Sequence, residues 1–366
     1  MDEVPISTVV ASIGFLLGGA LGAAARYARF CTLGAIADAY LTGDHRRWRA
    51  WMLAIAVAVL IAQTLHHSGI VDLRQSIYLT PDFGWLGAIA GGLAFGFGMA
   101  LCGTCGYGIL VRLGGGDLRA FLTFVVLGIF AYMTLRGLTG VWREALVEPT
   151  NIDLQAVGSQ SLIDATAWLS GAAPEGWLRP VGAGLVVLGL AAYCFRDEAF
   201  RSSSRDVTAG LLVGGCVGLG WLVTGVVGFD AFEPAPLESF SFVAPLGESL
   251  VYLMTFSGST ISFGIASVGG VIAGAYLVAL AKGEFRIEGF EGGRDMLRYI
   301  LGGALMGVGG VLALGCTVGQ GISGMSTLSL SAPLALASIV LGASFGLRYL
   351  EERNVIGAAK VLFLRR

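Results

Sequence analysis

The chain has 366 residues, 55% of them hydrophobic and only 13% charged, with a formal net charge of −2 and a mean hydropathy of +0.77. That balance excludes an ordinary soluble domain and reads as a polytopic membrane protein, an all-α molecule of about nine spans. Nothing in the chain invites a nucleic-acid partner, and no cofactor or metal is expected.

Apolar stretches of the length a bilayer demands begin at 6–29. Met1-Asp2-Glu3 offers no basic leader, and Arg26 and Arg29 follow the apolar run instead of preceding it, so the first span is expected to stay in the mature protein. Next comes ARYARFCTLGAIAD, where Cys31 follows the two arginines. Those charges can be read as side chains snorkelling to the interface, or as a lure that draws an anion towards the thiol at the inner end of a path.

The second span, 50–66, is short, and the third, 84–104, runs into Cys102-Gly-Thr-Cys105. Gly114-Gly115-Gly116-Asp117 lacks the preceding strand and the Lys-Ser/Thr of a phosphate loop, so it reads as a turn before the span 118–137. A long acidic connection, 140–178, carries Glu144, Glu148, Asp153, Asp164 and Glu175 against Arg143. Spans follow at 180–195, 207–229, 259–281, 297–316 and 332–350, with room for one more short helix in 237–258. Cys194 and Cys216 read as small buried hydrophobes. His45, His66 and His67 fall at span ends.

Basic groups occupy alternate connections: Arg46/Arg47/Arg49, Arg112/Arg119, Arg196/Arg201/Arg205, Lys282/Arg286/Arg294/Arg298 and Lys360/Arg365/Arg366. The turn 230–248 holds Asp230, Glu233, Glu238 and Glu248 with no Lys or Arg. By the positive-inside rule the N-terminus lies outside and the C-terminus in the cytoplasm.

The most informative pattern is internal. Gly91–Gly108 (GGLAFGFGMALCGTCGYG) overlays Gly302–Gly319 (GGALMGVGGVLALGCTVG) at an offset of 211 without gaps, repeating five glycines, a leucine and the cysteine pair Cys105/Cys316. Nine spans divide as four, a linker and four, so the second copy is expected upside down relative to the first, with a glycine-rich helix break carrying a thiol in each. The predicted division is 1–140 for the first repeat, 141–206 for the external loop and linker span, and 207–366 for the second repeat. Non-helical backbone at membrane depth is tolerated where it lines a polar cavity, which points to a channel or transporter more readily than to a receptor, and one cysteine per half in matching contexts argues against an enzyme.

Other chemistries fit parts of the pattern. A Cys-x-x-Cys pair suits a membrane thiol oxidoreductase or a persulfide-forming sulfurtransferase, yet Cys102 aligns with Ala313, so the pair itself is not what the repeat duplicates. A Cu(I) permease suits thiolates but lacks Met-rich or His-rich segments.

The stretches RFCTLGAIADAYL, GGLAFGFGMALCGTCGYGILVR, AKGEFRI at 281–287 and LRYILGGALMGVGGVLALGCTVGQGIS together resemble the YeeE/YedE sulfur transport family, nearest the YeeE thiosulfate uptake branch. The resemblance covers nearly the whole chain. It implies a bacterial inner-membrane protein that imports thiosulfate past three thiols, here Cys31, Cys105 and Cys316. Cys102, Arg29, Gly106 and Thr317 are the further candidates for contact with the ion. It also implies a separate TusA-like cytoplasmic sulfurtransferase as partner. The chain departs from the family in Cys102 and in Ala313-Leu-Gly315, which keeps other sulfur and selenium species in view.

Overall fold

A chain in lipid must satisfy its backbone N–H and C=O groups internally, and helices do so locally. The computed structural model describes residues 5–171, 177–229 and 236–352, and among them nearly all regular structure is helical. The first half runs α1 (Ile6–Ala28), α2 (Thr32–Ala37), α3 (Arg46–His67), α4 (Trp85–Cys102), α5 (Gly106–Gly114) and α6 (Leu118–Arg136). The middle of the chain holds α7 (Leu138–Trp142), α8 (Leu162–Ser170), α9 (Leu178–Phe195) and α10 (Glu198–Ser202). The second half runs α11 (Ser204–Leu222), α12 (Ala244–Thr255), α13 (Phe263–Ala281), α14 (Gly293–Leu312) and α15 (Ser331–Glu352). Two short strands, β1 (Asp82–Phe83) and β2 (Ile152–Asp153), pair antiparallel.

Among the described residues, nine helical segments are long and apolar enough to cross a bilayer. They coincide with the nine expected, and α12 fills the short helix anticipated in 237–258. Two are longer than the hydropathy pattern suggests. The first continues through a break to Thr42, and the third continues through another to Gly114. The expected external loop is not featureless: Ser159, Gln160 and Ser161 are buried, and the loop joins the chain beyond α14 through Leu162 N–H to Leu328 O (2.8 Å) and Leu330 N–H to Gln160 O (2.9 Å). Of the charged positions singled out in the sequence, Asp2, Glu3, Glu175, Asp230, Glu233, Lys360, Arg365 and Arg366 lie outside the described residues.

Glycine decides the packing, since a helix pair without side chains at the contact can bring backbones together. A methyl group on Gly22 would stand 2.1 Å from the carbonyl oxygen of Val271, and one on Gly274 2.0 Å from that of Gly19, so α1 and α13 touch backbone to backbone. Gly96 meets the Ile339 carbonyl and Gly342 the Leu93 carbonyl in the same way, locking α4 to α15. Gly214 against Ala54 joins α11 to α3, and Gly307 against Leu127 joins α14 to α6. Each pair takes one helix from either side of α9. At the centre, Gly91 packs on Gly309 and Gly98 on Gly302. Under the offset of 211 these two contacts exchange into one another, and their numbering runs in opposite directions along α4 and α14. Large apolar side chains such as Leu16, Leu185, Leu188 and Leu277 stand on the outer surface, as lipid contact requires.

Candidate functional site

Three chain breaks share one local plan. At the end of α1, Arg29 takes a left-handed conformation (φ 54°), two residues before Cys31, and α2 begins at Thr32. At the end of α4, Gly103 (φ 70°) stands two residues before Cys105, and α5 begins at Gly106. Past α14, Leu314 (φ 58°) stands two residues before Cys316, which precedes a wide helical turn, Gly319–Gly324. A left-handed residue closes a helix and turns the chain, so each thiol sits at a corner where one helix has stopped and the next starts. Arg29 and Leu314 hold this conformation without being glycine, an uncommon backbone state that clusters at functional sites.

The corners meet. The Thr32 hydroxyl lies 3.0 Å from the Thr317 hydroxyl and 3.9 Å from the Cys105 sulfur. Cys105 and Cys316 are buried, with 1% and 0% of their surface exposed, whereas Cys31 is half-exposed. The Cys316 sulfur accepts the Gly319 N–H at 3.4 Å, and the amides of Val318 and Phe242 face it too. Three residues after Cys105, the Gly108 amide faces that sulfur in the matching position. Converging backbone N–H groups form a concavity suited to an anion.

The helix ends left open by the breaks are capped by side chains. Arg112 donates from its guanidinium to the carbonyls of Gly103 (2.8 Å) and Cys102 (3.4 Å) at the end of α4. At the end of α14 the Gln320 amide donates to the Ala313 carbonyl at 2.8 Å.

A cavity of about 600 Å³ opens onto Cys31 and is lined by Arg26, Arg29, Arg47, Arg112, Thr104 and Glu284 among others. Arg26 pairs with Glu284 at 3.5 Å. Arg47 pairs with Asp38 at 2.9 Å and caps the Arg29 carbonyl at 2.5 Å. A neighbouring cavity of about 410 Å³ shares Arg26, Arg112 and Glu284. Its floor is the AKGEFRI segment, strapped to the triple-glycine turn by Arg286 N–H to Gly115 O (3.1 Å) and Leu118 N–H to Glu288 O (2.9 Å). Gly116 (φ 97°) has the Arg286 carbonyl where a side chain would go, which is why glycine stands there.

The opposite end is different. A cavity of about 360 Å³ between the starts of α1 and α13 is lined by Glu238, Thr224, Ser262 and Phe263. Burial, with the nearby Glu248 carboxyl adding to it, pushes the Glu238 carboxyl up to about 7. From Phe263 a chain of rings runs inward through Phe240 (5.1 Å between centroids) and Phe242 (6.2 Å) to Tyr107 (5.1 Å). The Phe242 carbonyl lies against Gly106, and Ser241 lies against Gly319, so this segment covers both thiol-bearing breaks.

Of the residues expected at a site, Cys105 and Thr317 converge with Thr32, while Cys31 and Arg29 line the arginine cavity. Gly106 starts α5 against the Phe242 carbonyl. Cys102 is turned away: its sulfur points at the Tyr299 carbonyl (3.6 Å) and fills the space over Gly302 on α14. Cys194 donates to the Arg49 carbonyl at 3.2 Å, and Cys216 is packed in the core. The sequence pattern does not single out Thr32, Arg112, Arg47 and Gln320 as site residues, although the Cys-Thr dipeptide, present at both 31–32 and 316–317, marks Thr32.

Comparison with known proteins found a family model, described as sulphur transport, that matches residues 27–345. Among curated proteins, the chain is similar to the thiosulfate transporter TsuA of Escherichia coli (strain K12), 27% identical over 344 residues that cover 90% of this chain and 91% of that protein. It is similar also to the thiosulfate transporter TsuA of Spirochaeta thermophila, 24% identical over 338 residues covering 90% of this chain and 96% of that one.

Proposed function

Because this chain belongs to the sulphur transport family, we propose that it takes up thiosulfate across a bacterial inner membrane and passes the ion between the thiols of Cys316, Cys105 and Cys31. The observation that carries this reading is the meeting of Thr32, Cys105 and Thr317 directly behind the arginine cavity that Cys31 lines. Thiosulfate has a soft terminal sulfur, able to accept weak S–H donation, and a sulfonate end that seeks N–H groups. The amides around Cys316 and Cys105 supply the second, and the thiols supply the first. Several weak sites in series let an ion enter without trapping it.

The arginine cavity is the cytoplasmic end, and the Glu238 cavity the external end, with the N-terminus outside and the C-terminus inside. The two copies of the cysteine-bearing break are inverted repeats. The exchange of Gly91·Gly309 with Gly98·Gly302, running in opposite directions along α4 and α14, supports this. Thr317 and Gly106 contact the passing ion beside the thiols, and Arg29 draws it out. The released ion is taken over by a separate TusA-like sulfurtransferase at the arginine cavity, which gives uptake its direction. An oxidoreductase built on Cys102 and Cys105 is disfavoured, because the Cys102 sulfur packs on α14 and away from the meeting point.

The test is uptake of labelled thiosulfate, and growth on thiosulfate as sole sulfur source, in bacteria lacking their own importers. Wild type should support both. Cys31→Ser, Cys105→Ser and Cys316→Ser should each lose most of the activity, and normal uptake by Cys316→Ser would end the thiol mechanism.

A further inference from the structure

The two breaks use different chemistry to close the same gap. The carbonyl at the end of the first half-helix belongs to Cys102, and its counterpart at an offset of 211 is that of Ala313. Arg112 caps the former, whereas Gln320 caps the latter. These caps are not themselves counterparts, for Arg112 corresponds to Ser323 and Gln320 to Ile109. Ser323 is used elsewhere, on the Phe240 carbonyl at 2.7 Å. The fold therefore needs a donor at each helix end, but only one end receives a charge.

A helix C-terminus carries about half a negative charge on its open carbonyls. The end of α4 faces the cavity through which a dianion would pass, so an unscreened end would repel it. Arg112 lines both arginine cavities. Among the four arginines around Cys31, Arg26 and Arg47 are paired with Glu284 and Asp38, and Arg29 is exposed. Arg112 is half-buried, and among the described residues its hydrogen-bond partners are carbonyls, not carboxylates. Its charge is thus the least compensated of those held in the protein beside the first break.

We propose that Arg112 is the charge-selecting residue of the path: it cancels the negative end of α4 and leaves a net positive site that favours a divalent over a monovalent sulfur anion. This rests on the thiosulfate reading and deepens it. Gln320 supplies the structural half of the role without the charge, so Arg112→Gln copies into the first break the solution used in the second.

The experiment is thiosulfate uptake with thiocyanate, a monovalent soft anion, as competitor. Arg112→Gln should raise the KM for thiosulfate about ten- to thirtyfold, and thiocyanate, a poor competitor in wild type, should compete far better. Arg112→Lys should restore the wild-type preference, and Gln320→Leu should lower stability without altering it. An unchanged KM and an unchanged thiocyanate response in a folded Arg112→Gln protein would overturn the proposal. If that variant does not fold, Arg112→Lys decides alone, since a folded lysine variant that has lost the preference for the dianion overturns it as well. Wild type that takes up no thiosulfate would instead remove the parent reading.

Discussion

The two ends of the molecule contrast in charge and in reach. At one, four arginines surround a cavity that touches Cys31 directly. At the other, a cavity with Glu238 on its wall stops at Phe263, and Phe240 and Phe242 stand between it and the buried sulfurs. The difference teaches that the thiols are not equally available: this structure is open on the arginine side as far as Cys31, and shut on the carboxylate side. Passage of an ion requires the aromatic segment to yield, because both inner breaks lie beneath it.

Accessibility is the sharpest way to break that contrast. A charged, membrane-impermeant thiol reagent offered from the arginine side should modify Cys31 and leave Cys105 and Cys316 unmodified in the folded protein, as read by mass spectrometry of single-cysteine variants. Fast labelling of Cys316 from the carboxylate side would show the shut end to be open.

Phe242→Ala should bring a lesser but large effect. It removes a fully buried ring and should cost about 3–5 kcal/mol of stability, seen as a lower melting temperature, while making Cys316 reactive from the Glu238 side. A matching loss of stability without new reactivity would assign the ring to packing alone.

The carboxyl at the shut end should add a modest pH dependence. Glu238 is held up to about 7 by burial, so the native state keeps a proton that the unfolded chain would release near the ordinary glutamate range. Its contribution to stability is therefore full at acid pH and is lost as pH rises through about 7. Glu238→Gln should flatten the fall in melting temperature between acid and neutral pH. The smallest effects belong to positions outside the path: Cys102→Ala should leave uptake within about twofold of wild type, and Leu188→Ala, on the lipid face, should change little.

The sequence exposes the frame of this protein more fully than its site. Span positions follow from hydropathy, and the sulphur transport family, with thiosulfate as its cargo, from motifs that stand in order along the chain. The repeat singles out Cys105 and Cys316 as candidates because glycines and a thiol recur at one spacing. Cys31 is harder to read. Nothing in its composition reveals that Arg29 ends α1 in a left-handed turn, since arginine does not advertise that conformation as glycine does at Gly103. Arg112 looks like one more basic residue between two spans until its carbonyl partners are seen. Gln320 hides for the opposite reason, as a neutral side chain in a polar stretch whose partner, the Ala313 carbonyl, is backbone. Caps of this kind depend on where a helix stops, and hydropathy does not say where that is.

The glycine contacts constrain how such a protein can work. In α1 with α13, and in α4 with α15, main chain lies on main chain, and each pair draws its members from opposite ends of the sequence. Interleaved in this manner, the halves have no slip plane along which one could rock or slide as a block past the other. Any block movement would have to part these backbone contacts, so small hinges at the three thiol-bearing bends and the phenylalanine strip above them are the cheaper motion.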